Sequence, residues 1–298
     1  MYNALINELS FISDLEISEN ELMQNHTTFK IGGPARLFLK ADSVSAVHDA
    51  IKILGNNGIS PLILGNGSNL LFPDEGYNGA VLKIACNKII YAGENRIYAE
   101  AGAPLSSIAS FAWKNALTGL EFAHGIPGTL GGAVVMNAGA YGGEISDVLE
   151  ISSYVTLNDT YTITNEEHCF GYRESVYKNH PEYTVLSAVF NLEPGNPDSI
   201  SAKMRDLAEK RRDKQPLEFP SAGSVFKRPI GYFAGALIEQ CGLKGYSIGG
   251  AEVSKKHAGF IINRGGATAN DVKKLVNHIQ NTVLKETGVS LECEICFI

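Results

Sequence analysis

Three short stretches hold side chains that could do chemistry. FGYRES sets Arg173 between an aromatic residue and an acid, and PSAGSVFKRP sets Ser224 among small residues with Lys227 and Arg228 just behind. LECEI puts Glu292 and Glu294 on one face of an extended segment. An arginine offers a fixed cationic fork to a carboxylate. A serine offers an O–H, and a glutamate a base or, when protonated, an acid. Each also has an ordinary reading: a surface ion pair, a turn former and a solvent-exposed strand face. Without a G-x-S-x-G elbow or an evident His/Asp partner, Ser224 does not read as an acyl-transfer nucleophile.

Two glycine clusters point to a ligand or to tight packing. Gly65–Asn69 reads GNGSN after an apolar run, a place where successive backbone N–H groups can form an anion nest. It lacks the Lys-Ser/Thr of a Walker loop, and Leu70 stands where a Rossmann fingerprint needs its third glycine. Gly125–Gly143 reads GIPGTLGGAVVMNAGAYGG, with no charged side chain and with Asn137 and Tyr141 as hydrogen-bonding groups. Such bare backbone can approach a flat or extended molecule closely, or close-pack against its own fold. A dinucleotide with a pyrophosphate and an aromatic ring would use both clusters.

The elements that must hold these residues alternate between helix and strand. Strand patterns appear in ARLFLKA (Ala35–Ala41), SPLIL, GAVLKI, the pair KIIYA/RIYAEA around the turn Gly93–Asn95, LEISSYVTL, TYTIT and TVLSAVFNL. Helix patterns appear after Ser43, after Pro104, from Ile200 to Pro216, in FAGALIEQ, and after Thr268, whose Asp271 three residues on completes a capping box. VSLECEICFI alternates like a strand, so Cys293 and Cys296 point to opposite faces, which argues against a zinc or dithiol pair. This is an α+β pattern with a break near residues 195–205.

Composition narrows the class. The 298 residues are 44% hydrophobic and 19% charged with a net charge of −7, a globular balance that disfavours wholesale attraction to nucleic acid or membrane. Lys203–Arg228 is nonetheless locally basic, which suits an anionic ligand or a solvated helix end. The first twenty residues carry acids and no Lys or Arg, unlike a secretory signal, and no apolar run approaches the ~20 residues of a membrane span. A cytoplasmic protein with reduced thiols is expected.

In order along the chain, TTFKIGGPAR, LGNGSNLL, GLEFAHGIPGTLGGAVVMNAGAYGGEI, GYRES, PSAGSVFKRP, IEQCGLKGYSIGGAEVSKKHAGFIIN and LECEI resemble the UDP-N-acetylenolpyruvoylglucosamine reductase (MurB) family of bacterial peptidoglycan precursor synthesis. The likeness runs from about residue 26 to 298. The family's tyrosine-bearing insertion after the arginine motif is missing, which matches the shorter, type II form. Two departures concern substrate contacts: Arg228 stands where many relatives carry Asn, and the chain reads CFI after the acidic motif, without the usual basic residue and Gly.

The resemblance implies a vanillyl-alcohol-oxidase (PCMH)-type FAD-binding domain of two α+β subdomains plus a C-terminal α+β substrate-binding domain. The expected boundaries are 1–85 joined by the strand 291–298, then 86–197, then 198–290. It implies bound FAD, NADPH as co-substrate, and reduction of UDP-N-acetylglucosamine enolpyruvate to UDP-N-acetylmuramate. Residue by residue, it assigns Ser224 as proton donor, with Arg173 and Glu294 as the other two catalytic groups. Lys227 and Lys244 fall where substrate phosphate would be held. Gly65, Asn66, Gly67, Ser68 and Asn69 are expected to touch FAD. So are Gly125, Ile126, Pro127, Gly128, Thr129, Gly131, Gly132, Asn137, Ala138 and Gly139. No metal, nucleic acid, membrane or obligate protein partner is expected. Two other readings stand beside this one. A related flavin oxidase acting on an alcohol would use His124 as a covalent flavin anchor rather than as a buried or hydrogen-bonded histidine, and a flavin or nucleotide sensor would do no chemistry.

Overall fold

The computed structural model describes residues 2–298, and the chain divides into two compact units. The first comprises residues 1–19, 37–65 and 79–209; the second comprises 20–36, 66–78 and 210–298. The chain therefore passes between the units five times. Contacts between distant stretches define compactness, and a linear composition profile does not contain them.

The first unit carries helices α1 (Tyr2–Leu9), α2 (Val44–Asn56), α3 (Leu105–Lys114), α4 (Leu130–Val135), α5 (Val176–Asn179) and most of α6 (Pro197–Lys214). The Ser43 side chain caps α2 by accepting the Ala46 N–H at 3.2 Å, and Val47, Ala50, Ile51 and Leu54 bury one helix face. A five-stranded antiparallel sheet runs in the spatial order Thr160–Thr164, Leu149–Val155, Thr184–Asn191, Arg96–Glu100 and Ile89–Gly93. Its last two strands form a hairpin in which Glu94 and Asn95 both have positive φ, as a tight primed turn requires. A four-stranded sheet has the order Leu15–Leu22, Pro34–Ala41, Tyr77–Ile84 and Leu62–Leu64, the last pair parallel. The strand Leu15–Leu22 has no counterpart in the sequence reading, because LEISENEL is mostly exposed and charged, with too few apolar positions to announce a sheet.

The second unit is built around α7 (Ala234–Gln240), α8 (Ala269–Thr287) and a three-stranded antiparallel sheet of Ser247–Ile248, Ala251–Val253 and Ile261–Asn263. The Thr268–Asp271 capping box is present, and Asp74 accepts the N–H groups of Ala269 and Asn270 at 2.7 and 3.0 Å. Val272, Leu275, Val276, Ile279 and Val283 form the buried face of α8. Among the described residues no helix is long and apolar enough to cross a membrane.

One strand expectation is corrected. VSLECEICFI is not a continuous strand: Cys293 makes an isolated bridge to Phe226, and only Cys296–Phe297 forms a short parallel pair with Leu70–Leu71. Two different partners along ten residues break the single register that alternation implied.

Candidate functional site

The glycine-rich stretch folds as a 3-10 turn (Glu121–Gly125), an extended link, α4, and a tight hairpin pairing Gly139–Ala140 with Gly143–Glu144. Several of its glycines answer to packing. A Cβ on Gly131 would lie 3.2 Å from the Ala101 side chain, and one on Gly139 would lie 2.7 Å from that of Glu144. Gly65 has the same role, since a Cβ there would lie 2.3 Å from the Thr129 Oγ1 atom. Gly132 differs: it is exposed, and a Cβ would meet nothing closer than 4.0 Å. Part of the bare backbone thus serves packing, while Gly132 is left open.

Asn137 is fully buried and committed to its own fold. Its amide donates to the Glu144 carboxylate at 2.9 Å and the Gly171 carbonyl at 3.1 Å, and its oxygen accepts the Ser146 N–H at 3.0 Å. These bonds tie the glycine stretch to the arginine loop, so any approach to a cofactor at this residue is by backbone. His124 is the opposite case. Its Nδ1 is buried with no hydrogen-bond partner, an orphaned polar atom that a bound ligand would satisfy. Open space over Gly132 and the unsatisfied His124 nitrogen, within one glycine-rich segment, fit a flavin nucleotide.

Arg173 follows in the same unit. Its backbone sits at φ 59, its guanidinium donates to the Gly139 carbonyl at 3.2 Å, and it lies 5.0 Å from the Tyr172 ring centroid. Lys178 Nζ holds the Arg173 carbonyl at 3.0 Å and the Glu174 carboxylate at 2.9 Å.

In the second unit, Ser224–Lys227 runs between two other segments. Val225 N–H donates to the Gly259 carbonyl at 2.9 Å, while Glu294 N–H donates to the Val225 carbonyl at 2.8 Å and Lys227 N–H to that of Glu292 at 2.9 Å. This pairing sets Glu294 opposite Val225, the residue after Ser224, and draws together two motifs that are far apart in the sequence. Ser224 Oγ donates to the Phe226 carbonyl at 3.3 Å. Within GNGSN, the Asn69 amide donates to the Glu294 carbonyl at 3.1 Å, and its own carbonyl accepts the Cys296 N–H at 2.9 Å. Asn69 is therefore a tether for the acidic motif. Gly67 takes φ 59, and a Cβ there would lie 2.4 Å from the His26 carbonyl.

Both candidate phosphate lysines are paired with carboxylates, Lys227 with Glu292 at 2.5 Å and Lys244 with Glu239 at 2.7 Å. The Arg228 guanidinium stacks over the Phe233 ring at 4.0 Å. His257 was passed over in the sequence reading although it lies in SKKHAGF. Its Nδ1 accepts the Gly259 N–H at 3.1 Å, and a Cβ on Gly259 would touch both the His257 ring and Ser224 Oγ, at 3.0 and 3.4 Å. Burial holds this histidine below its ordinary pKa. Among the described residues no group of three or more His, Cys, Asp and Glu side chains is arranged to hold a metal.

Comparison with known proteins agrees with this geometry. Residues 35–163 match the FAD binding domain family, and residues 215–298 match the C-terminal domain of UDP-N-acetylenolpyruvoylglucosamine reductase. Fold and match together define an α+β flavoprotein with a FAD-binding domain and an appended C-terminal domain. A UDP-N-acetylenolpyruvoylglucosamine reductase of Clostridium novyi is 48% identical over 287 residues, 96% of this chain and 93% of that protein. One from Caldanaerobacter subterraneus subsp. tengcongensis is 50% identical over 93% of this chain and 91% of its own length. The crystal structure of the Thermus caldophilus enzyme superposes with a TM-score of 0.81 at 33% identity, covering 95% of this chain and 98% of that one. The chain belongs to the UDP-N-acetylenolpyruvoylglucosamine reductase family.

Proposed function

We propose that the protein is a FAD-dependent, NADPH-linked reductase that converts UDP-N-acetylglucosamine enolpyruvate to UDP-N-acetylmuramate, acting in the cytoplasm on this UDP-sugar. The carrying observation is the identity of about half of the chain to reductases of this name, supported by the backbone bonds of Val225 to Glu294 and of Lys227 to Glu292, which draw the serine and acidic motifs together. Residues 1–197, with the C-terminal segment 291–298, form the flavin-binding part in this reading, and 198–290 the substrate-binding part.

When bound, FAD supplies hydride transfer from NADPH to the enolpyruvyl double bond. The backbone of Gly125–Gly139 and of Gly65–Asn69 would hold the cofactor, with His124 Nδ1 as a further polar contact. Reduction adds a hydride to the terminal enolpyruvyl carbon and a proton to the carbon bearing the carboxylate. Ser224 Oγ delivers that proton. Arg173 directs its planar fork at the substrate carboxylate and disperses the charge that develops there. Glu294 holds the enol form by hydrogen bonding. Lys227 and Lys244 exchange their present carboxylate partners for the substrate diphosphate.

General-acid contributions run to roughly 10²–10⁴-fold, so Ser224→Ala should lose about that factor in turnover. Reduction of the bound flavin by NADPH should stay at the wild-type rate. The assay is stopped-flow absorbance of the two half-reactions, and reoxidation at an undiminished rate by the enolpyruvyl substrate would remove Ser224 from its role.

A further inference from the structure

A polar chain lies fully inside the first unit, behind the arginine loop. His168 and Ser152 are entirely buried and Tyr177 nearly so. His168 Nδ1 is 2.6 Å from the Thr164 carbonyl, His168 Nε2 is 2.7 Å from Ser152 Oγ, and Ser152 Oγ is 2.6 Å from the Tyr177 hydroxyl. The carbonyl can only accept, so Nδ1 carries the proton. In the neutral ring Nε2 then accepts from Ser152, and Ser152 accepts from Tyr177. Every group is satisfied in this one direction. Burial holds His168 below its ordinary pKa and pushes the Tyr177 phenol up, so both stay neutral.

His168 and Tyr177 bracket the loop that carries Arg173. Between them Cys169 and Arg173 both adopt left-handed backbone, at φ 49 and 59. Non-glycine residues hold such a conformation only where the surroundings over-determine it. The restraints are visible: Gly171 and Glu174 exchange N–H···O bonds at 3.1 and 3.2 Å, Ser175 Oγ donates to the Val135 carbonyl at 2.7 Å, and His168 stacks on Phe170 with centroids 4.7 Å apart. Ser152 lies on a central strand of the five-stranded sheet and joins the two ends of the loop to one rigid point.

We propose that Tyr177, Ser152 and His168 are positioning residues: their hydrogen-bonded chain clamps both ends of the 169–176 loop and thereby fixes the strained turn that aims Arg173. This rests on the reductase reading for its kinetic consequence, but the clamp itself is a property of the loop. Tyr177→Phe keeps the ring and removes one donor. His168→Gln keeps an amide donor and acceptor with the spacing of the two ring nitrogens, whereas His168→Leu keeps neither.

The test uses the FAD-loaded enzyme with two independent readouts. Trypsin cleavage after Arg173 and Lys178, measured by mass spectrometry, should accelerate about tenfold in Tyr177→Phe, the factor one buried hydrogen bond is worth. Reoxidation of the reduced enzyme by the enolpyruvyl substrate should slow by about the same factor, with flavin reduction by NADPH unchanged. His168→Gln should lie nearer wild type than His168→Leu in both. The proposal is overturned if neither readout moves in Tyr177→Phe, or if both half-reactions fall together in step with the melting temperature. If Tyr177→Phe does not fold, Ser152→Ala carries the same two readouts. A wild-type enzyme that does not turn over the enolpyruvyl sugar would remove the reductase reading, and the trypsin arm would still decide the clamp.

Discussion

Glu121 opens the 3-10 turn that leads into His124 and Gly125, and its carboxylate is 98% buried. It accepts the Thr118 hydroxyl at 2.5 Å and the Gly119 N–H at 3.1 Å, and it faces Lys203 Nζ at 3.2 Å. Lys203 is 59% exposed, so its ion pair is screened and contributes about 0–1 kcal/mol. The two hydrogen bonds matter more, because a buried donor left unsatisfied costs about 1–3 kcal/mol. Glu121→Ala is therefore expected to destabilise the protein by about 2–4 kcal/mol. Glu121→Gln retains one acceptor and should cost about 1–2 kcal/mol. Lys203→Ala should cost no more than about 1 kcal/mol.

Chemical denaturation of the three variants, followed by circular dichroism, measures these differences. Desolvation alone would raise the Glu121 pKa, but the Thr118 hydroxyl, the backbone N–H groups and the Lys203 charge outweigh it and hold the pKa below the ordinary carboxylate value. The sign follows. A depressed folded-state pKa stabilises the protein above the unfolded value of about 4.3, and the contribution is lost as pH falls through the folded value. The gap between wild type and Glu121→Gln should thus narrow below about pH 4. Because the turn leads into the glycine stretch proposed to hold FAD, Glu121→Ala should also retain less FAD through gel filtration. If Lys203→Ala proves as costly as Glu121→Ala, the ion pair and not the hydrogen bonding holds this turn, and the reasoning fails.

Arg173→Lys keeps the charge and loses the planar fork, so turnover should fall about 10²-fold while the flavin is still reduced by NADPH, as single-turnover absorbance would show. Asn69→Ala removes the amide that holds the Glu294 carbonyl; it should lower turnover several-fold, by about the worth of one hydrogen bond, with FAD content unchanged by absorbance ratio. Thr268→Ala should destabilise the C-terminal unit by about 1 kcal/mol through loss of the α8 cap, read by thermal melting. The Thr268 N–H bond chiefly holds the Asp271 pKa down, so the stability Asp271 adds is present above about pH 4 and lost as pH falls through its folded pKa. An Asp271→Asn variant should melt with less dependence on pH in that acid range.

Local order was legible because it rests on local rules. The α8 face, the Thr268–Asp271 box, the Ser43 cap and the Glu94–Asn95 turn follow from spacing within a few residues, and each stands where the sequence reading put it. Reading failed where a segment takes its partners from far away. VSLECEICFI alternates, yet Cys293 pairs with Phe226 and Cys296–Phe297 with Leu70–Leu71. The side chains of Asn137 and Asn69 also tie their glycine-rich motifs to distant segments, a use that no local pattern announces. His257 carries no local signal in SKKHAGF, and only the fold brings it and Ser224 to either side of Gly259.

The sequence by itself determined the family, the flavin-binding class and the residue types available for chemistry, since these reside in ordered motifs that need no coordinates. Only the tertiary structure decided which glycines pack and which stay open, that Glu294 pairs with Val225 next to Ser224, and that His168, Ser152 and Tyr177 form one buried chain behind Arg173. The physical reason is that a hydrogen bond or a close approach is a property of two residues at once. Its partner can lie seventy positions away, where no local pattern records it.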